Sequence, residues 1–251
     1  MGILIFIPTY NERGNVARLC QQLNALREHQ PTPVIADILF VDDNSPDGTG
    51  EALDQLAAQF PQVHVIHRAG KEGIGTAHQV GIRYAYAHGY DTLITMDCDG
   101  THPPEYIPEF LAETNAPVAV GSRYLKRNSL DEWTWLRRIM TYGGHMLTRT
   151  FLNMPYDASS AYRRYRLKQI PLQLFDLVQA RGYGFFFESL YALHVNHFAI
   201  HEVGIILPAR GSGESKMSFQ EAWRGISRIF TLWFSVARNR KRYQLVDSNS
   251  R

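Results

Sequence analysis

The chain has 251 residues and a formal net charge of +2, from 26 Lys and Arg against 24 Asp and Glu. That balance excludes a strongly basic nucleic-acid binder, and the length suffices for one large buried core. The two cysteines, Cys20 and Cys98, have neither zinc-site spacing nor the pattern of a disulfide framework, which points to a reducing cytoplasm.

The opening MGILIFIPTYNE has no basic leader and reaches Pro8 after a short apolar run, so it reads as a first strand. Further strand-like runs at 34–41, 63–67, 92–96 and 117–120 alternate with segments of helical period. Val16, Leu19, Leu23 and Leu26 form one apolar face, and Leu53, Leu56 and Phe60 form another. Strands joined by such crossovers lie mostly parallel with helices on both faces, and ligands gather beyond their carboxyl ends. The four polar loops PTYNERGN, DDNSPDGT, RAGKEGIG and DCDGTHPP are therefore expected on one rim. Past residue 122 the alternation stops. A polar stretch leads into an apolar helix near 135–152, then DASSAYRRYR, the aromatic GYGFFFESLYALHV, a strand-like IHEVGIILPAR, the loop GSGESK and a final amphipathic helix. We read one main domain, 1–217, and a C-terminal helix with a basic tail, 218–251. No stretch of about 18 uncharged apolar residues occurs to span a bilayer.

Asp97 and Asp99 follow the fourth strand at a spacing of two, which in extended backbone turns both carboxylates to one side. Such a pair suits Mg²⁺ or Mn²⁺, which completes its shell with phosphate oxygens and water. The same pair could instead cap the helix expected at Pro103 and Pro104. LITMDCDGT also resembles the haloacid-dehalogenase phosphohydrolases, but that family carries its motif on the first strand and needs a late acidic motif not found here. Gly73-Ile74-Gly75 has His78 where a dinucleotide fingerprint needs Gly or Ala, and no P-loop is present. Arg68 and Lys71 read as solvated cations within reach of a diphosphate, and His194 and His197 as packed or surface imidazoles.

PTYNE, VDDNSPDGT, RAGKEGIGTA, MDCD with HPPEYIPEF, GSRY, DASSAYRRYR, GYGF, EVGI and ARGSGESK together resemble the family-2 glycosyltransferases of GT-A (Rossmann-like) α/β fold. Within them, the pattern is similar to the dolichol-phosphate and polyprenol-phosphate mannosyltransferases, up to about residue 217. The resemblance implies metal-dependent, inverting transfer of mannose from GDP-mannose to a polyprenyl phosphate. It implies a guanosine pocket of Pro8, Tyr10, Glu12, Val41 and Asp43, with Asp97 and Asp99 holding the metal and diphosphate and Cys98 shaping the loop between them. Arg123 would contact a phosphate, and Arg210 and Lys216 would close over the pyrophosphate, so that Asp99, Arg123, Arg210 and Lys216 carry the catalytic assignment. Arg137 and Thr141 stand four apart on a predicted helix and are expected to join Arg123 as an acceptor-phosphate cradle, unless Arg137 and Arg138 form an ordinary solvated face. Glu188 is expected to accept a sugar hydroxyl or to be a vestigial base. Thr101 and the pair Ala161-Tyr162 depart from the family pattern. Other readings are another donor such as UDP-glucose, a hydroxyl acceptor, or an inactive nucleotide-binding subunit.

From Phe219 the residues Phe219, Trp223, Ile226, Phe230, Trp233 and Ala237 draw one stripe, and the helix ends in RNRKR. The stripe is expected either at a membrane interface or on the protein or a membrane-anchoring subunit; the former reading places the chain peripherally on the cytoplasmic face of a membrane.

Overall fold

A computed structural model describes residues 2–28, 36–131, 133–208, 227, 230–234, 236 and 238–245, with the side chains of residues 136, 137 and 240 excluded. Its centre is a seven-stranded sheet ordered β3-β2-β1-β4-β6-β5-β7. The strands are β1 (Ile3–Thr9), β2 (Asp37–Asp42), β3 (Val63–His67), β4 (Thr92–Thr95), β5 (Val118–Ser122), β6 (Arg163–Arg166) and β7 (Ile200–Gly204). All pairings are parallel except those of β6, which runs antiparallel to both β4 and β5.

Strand alternation divides the core into two layers, because successive side chains leave a strand on opposite faces. Leu4, Phe6, Leu39, Val41, Val118 and Val120 face one layer, covered by α3 (Ile74–Ala87) and α7 (Gly184–Val195). Ile5, Ile7, Ile38, Phe40 and Ala119 face the other, under α1 (Arg13–Glu28), α2 (Thr49–Gln59) and α4 (Ile107–Ala112). The stripe Val16, Leu19, Leu23 and Leu26 is buried as expected, as are Leu53 and Leu56. α7 is buried almost all round, as an aromatic helix without a polar face must be. The short α6 (Gln173–Asp176) precedes it.

Strand β6 is not among the strand-like runs the sequence offers, because three of its four residues are arginines and no apolar run marks it. Arg163 and Arg164 are each 1 % exposed. They point to opposite faces of the sheet, and main-chain oxygens take up both guanidinium groups. Arg163 donates to Ser160 O, Ala158 O and Phe186 O, and to Ser189 Oγ. Arg164 donates to Phe110 O, Ala116 O and Glu113 O. Burial pulls the Arg164 pKa down to about 10, and the ring of carbonyls meets the hydrogen-bonding demand that makes a buried cation otherwise so costly.

Helix α5 (Trp135–Leu152) falls where the apolar pattern places it. Its inner side buries Thr148 and Leu152, while Trp135, Ile139, Tyr142 and Met146 are 52–72 % exposed. The C-terminal stripe behaves differently. Residues 230–234 are helical, and Phe230 and Trp233 turn onto Phe151 of α5, with ring centroids 5.5 and 5.6 Å away. These two stripe residues cover the protein itself, which corrects the membrane-facing expectation for them. Phe219, Trp223, Ile226 and Ala237 lie outside the described residues. Among the described residues no helix is long and apolar enough to cross a membrane.

Candidate active site

The loops after β1, β2, β3 and β4 meet at the carboxyl edge of the sheet, as the crossover rule requires. They wall a cleft of about 320 Å³ lined by Pro8, Tyr10, Glu12, Asp43, Lys71 and Gly73, and by Asp97, Cys98 and Asp99. Seven of the sequence-predicted residues thus share one cavity: both carboxylates of the Asp-x-Asp loop, Asp97 and Asp99, with Pro8, Tyr10, Glu12, Asp43 and Cys98. Gly182 and Tyr183, from the GYGF motif before α7, close the same cleft; the motif carries the resemblance, but neither residue is among the site residues it points to.

The Asp43 carboxylate lies 3.1 Å from Arg68 Nη1, with both side chains under 10 % exposed. Burial raises the Asp43 pKa, and the guanidinium partly offsets it. Arg68 also donates to Thr76 Oγ1 at 2.7 Å, so it is a buried brace behind Asp43 that does not itself line the cleft, and not the solvated cation its loop position suggests. Lys71 does stay exposed, its Nζ 3.9 Å from the centre of the Tyr10 ring. Val41 is fully buried in β2, with its carbonyl accepting the Thr9 hydroxyl. It does not line the cleft, which corrects the expectation for it; it is the sheet partner of Pro8, which does.

Strand β4 ends at Thr95 and residues 98–100 form a bend, so Asp97 and Asp99 do not share one strand; both nevertheless line the cleft. Two side chains fix this loop. Asp97 N–H donates to His102 Nδ1 at 2.8 Å, and Thr101 donates both its N–H and its hydroxyl to Asp99 Oδ1, at 3.0 and 2.6 Å. Thr101, the family departure, therefore orients Asp99. His102 is 5 % exposed and stacks on Tyr162. Its Nδ1 is also 3.7 Å from Asp97 Oδ2, but an Nδ1 that accepts a main-chain proton is the bare nitrogen of a neutral ring. Burial holds its pKa down, consistent with that state. Burial likewise pushes the Cys98 thiol up, so it stays protonated and apolar.

No group of three or more His, Cys, Asp or Glu that could enclose a metal occurs among the described residues. Two carboxylates in a cleft sized for a phosphorylated ligand still fit a hard divalent cation, since Mg²⁺ is usually held by one or two carboxylates together with substrate phosphates.

Arg123 follows β5. Its Nε donates to Asp157 Oδ2 at 2.7 Å, and the Arg123 N–H donates to the same oxygen at 3.2 Å. Asp157 is 1 % exposed; its other oxygen accepts the Ser159 hydroxyl, and its own N–H donates to Glu202 Oε1. Burial opposes the Arg123 charge, but Asp157 together with Tyr124 and Asp97 more than offsets this and raises its pKa. Arg123 therefore lies within the field of the Asp-x-Asp loop. Thr141 sits half-buried on α5, its carbonyl accepting the Tyr124 hydroxyl at 3.2 Å. The side chain of Arg137 and all of Arg210 and Lys216 lie outside the described residues.

Glu188 is placed differently from its expected role. It is absent from the cleft lining, 5 % exposed, and its oxygens accept hydrogen bonds from Gln179 and Ala180 N–H, from Tyr243 and from Arg242. These donors come from the protein, so a substrate-contacting role is not what this geometry offers. His194 packs edge-on to Tyr156, and His197 is exposed.

The description "Glycosyl transferase family 2" matches residues 4–174, and the chain belongs to this family. It is 38 % identical over 240 residues to an undecaprenyl-phosphate mannosyltransferase of Micrococcus luteus, covering 95 % of this chain and 96 % of that protein. It is 36 % identical over 219 residues to a polyprenol monophosphomannose synthase of Mycolicibacterium smegmatis, covering 86 % and 80 %. Among solved structures, mannosyl-3-phosphoglycerate synthase of Rubrobacter xylanophilus superposes with a TM-score of 0.66 at 17 % identity, over 100 % of this chain and 79 % of that one. A mannosyltransferase of Pyrobaculum calidifontis solved with GDP-Man and Mn²⁺ superposes at 0.52 and 15 % identity, over 94 % and 63 %. The architecture is the GT-A fold of these enzymes.

Proposed function

We propose that the protein transfers mannose from GDP-mannose to a polyprenyl phosphate, with inversion at the anomeric carbon. The observation that carries the reading is the single cleft that joins Asp97 and Asp99 to Tyr10 and Asp43. Near-full-length similarity to two enzymes named for polyprenyl-phosphate mannosylation supports the sugar and the acceptor class.

Tyr10 offers a ring face to a nucleobase, and the Asp43 carboxylate, held by Arg68, offers acceptors for base N–H groups. Asp97 and Asp99 would hold Mg²⁺ or Mn²⁺, whose chemistry is to offset charge on a departing diphosphate. A phosphate monoester with a second pKa near 6 is largely dianionic at neutral pH, so its attacking oxygen needs no base, and positioning dominates. Arg123, clamped by Asp157, binds that dianion and keeps its five-donor fork aimed. Arg137 and Thr141, four apart on α5, would complete this cradle, and the family resemblance assigns Arg210 and Lys216 to the donor pyrophosphate.

Access to a lipid acceptor implies peripheral membrane attachment, on the cytoplasmic face, where two unpaired thiols fit a reducing compartment. The exposed stripe Trp135, Ile139, Tyr142 and Met146, on a helix with three arginines and no acidic residue, favours α5 as the element in contact with anionic headgroups.

The test is a panel of labelled nucleotide sugars with a short polyprenyl phosphate and Mg²⁺ or Mn²⁺, read by extraction of product into organic solvent. GDP-mannose is expected to outperform the others, excess chelator to abolish turnover, and Asp97→Ala or Asp99→Ala to lower kcat by roughly 100-fold or more without loss of folding. Preferred turnover of a UDP-sugar, or full activity in chelator, overturns the donor or the metal assignment respectively.

A further inference from the structure

Glu188 holds together two segments far apart in the chain. Its Oε2 accepts the N–H groups of Gln179 and Ala180 at 2.9 and 2.6 Å. Its Oε1 accepts the Tyr243 hydroxyl at 3.0 Å and Arg242 Nη2 at 3.1 Å. The first pair of donors belongs to the loop that carries Gly182 and Tyr183 into the cleft wall. This loop lies backbone against backbone on the start of α3: a Cβ at Gly73 would fall 2.5 Å from Arg181 O, and one at Gly75 2.5 Å from Ala180 O. Arg181 O also accepts the Thr76 N–H. Gly73 and Ile74 line the cleft themselves, so a displacement of residues 179–181 moves two walls at once.

The second pair of donors belongs to the single turn Arg240–Tyr243. That turn is latched onto α7 independently, since Asn196 Nδ2 donates to Tyr243 O and Asn196 Oδ1 accepts Leu245 N–H. Tyr243 is 1 % exposed and edge-on to Tyr191. A carboxylate with four donors in a dry site has little freedom to tolerate the loss of one, because the hydrogen bonds of a buried charge are its solvation.

We propose that Glu188 is a positioning residue that couples docking of the C-terminal turn to the wall of the nucleotide cleft, so that the C-terminal segment sets donor affinity. The inference rests on the reading of the cleft as the donor site. It gives the Glu in the aromatic run a role in the reaction without contact with sugar or acceptor.

The test compares Tyr243→Phe, Arg242→Met and Glu188→Gln with wild type in two readouts, steady-state kinetics and calorimetric binding of GDP or UDP with Mg²⁺, whichever nucleotide the wild type binds. Tyr243→Phe removes one hydroxyl and keeps the ring on Tyr191, so it carries the test even if Glu188→Gln fails to fold. Donor KM and the nucleotide Kd are expected to rise about tenfold, the equivalent of one charged hydrogen bond, with kcat and acceptor KM within about twofold. Where Glu188→Gln folds, adding Tyr243→Phe to it should cost little more. Unchanged nucleotide affinity in Tyr243→Phe, or a parallel fall in kcat and rise in both KM values, overturns the coupling. A wild type that binds neither nucleotide overturns the donor-site reading, and the coupling with it.

Discussion

At the scale of single residues, the site works through side chains that hold other side chains. Asp97 and Asp99 project from a loop that His102 and Thr101 fasten, and Arg123 is aimed by Asp157. None of these three supports was picked out as a functional residue from the sequence, although each stands within a motif that was. Asp157 offers the sharpest test. Asp157→Asn keeps the shape but removes the charge that offsets burial of Arg123, and breaking a buried pair on one side costs about 3–5 kcal/mol. Acceptor KM is expected to rise at least tenfold with donor KM within about twofold. Equal effects on both substrates would remove Arg123 from the acceptor side.

At the scale of elements, α5 and β6 show opposite fates of basic and apolar residues. Arg163 and Arg164 of β6 are interior, because carbonyls from both sheet faces converge on them. Four apolar residues of α5, Trp135, Ile139, Tyr142 and Met146, are exterior, while Phe230 and Trp233 cover Phe151 further along the helix. Each buried apolar side chain is worth about 1.5–3 kcal/mol, so losing Trp135 and Ile139 from a lipid interface should nearly abolish attachment. In sedimentation with anionic liposomes at physiological salt, Trp135→Ser/Ile139→Ser is expected in the supernatant and wild type in the pellet, with turnover of a soluble short-chain acceptor kept. If the variant pellets like wild type, α5 is not the docking element.

At the scale of the whole molecule, stability depends on a histidine the chemistry does not use. His78 of α3 is 2 % exposed among Phe6, Phe185 and Phe186, and its Nε2 has no hydrogen-bond partner among the described residues. Burial, with Arg163 and His102 adding to it, lowers its pKa to about 3. Between that value and the unfolded value near 6.5, the unfolded chain binds a proton that the fold excludes, so stability falls as pH drops through this window. By pH 5 the loss from this residue is roughly 2 kcal/mol. Chemical denaturation at pH 7.5 and pH 5 should show a smaller pH-dependent loss in His78→Asn than in wild type, even though the variant is less stable at pH 7.5. Equal losses would show that His78 titrates normally.

Much of this protein was determined by local pattern. Alternating apolar runs and helical stripes specify the parallel half-sheet, because period-2 and period-3.6 burial are properties of the strand and the helix themselves. The crossover rule then places Tyr10, Asp43, Asp97 and Asp99 on one rim without further information. What the tertiary structure alone decided concerns groups whose worth depends on distant partners. Arg163 and Arg164 could enter a central strand only where carbonyls 3 to 54 residues away supply their solvation. Glu188 reads as a candidate site acid in its aromatic run, and becomes a brace once Gln179, Ala180, Arg242 and Tyr243 reach it. A stripe such as Phe230 and Trp233 says only that a surface must cover it. Whether that surface is lipid or protein is settled by what lies opposite, and here Phe151 does.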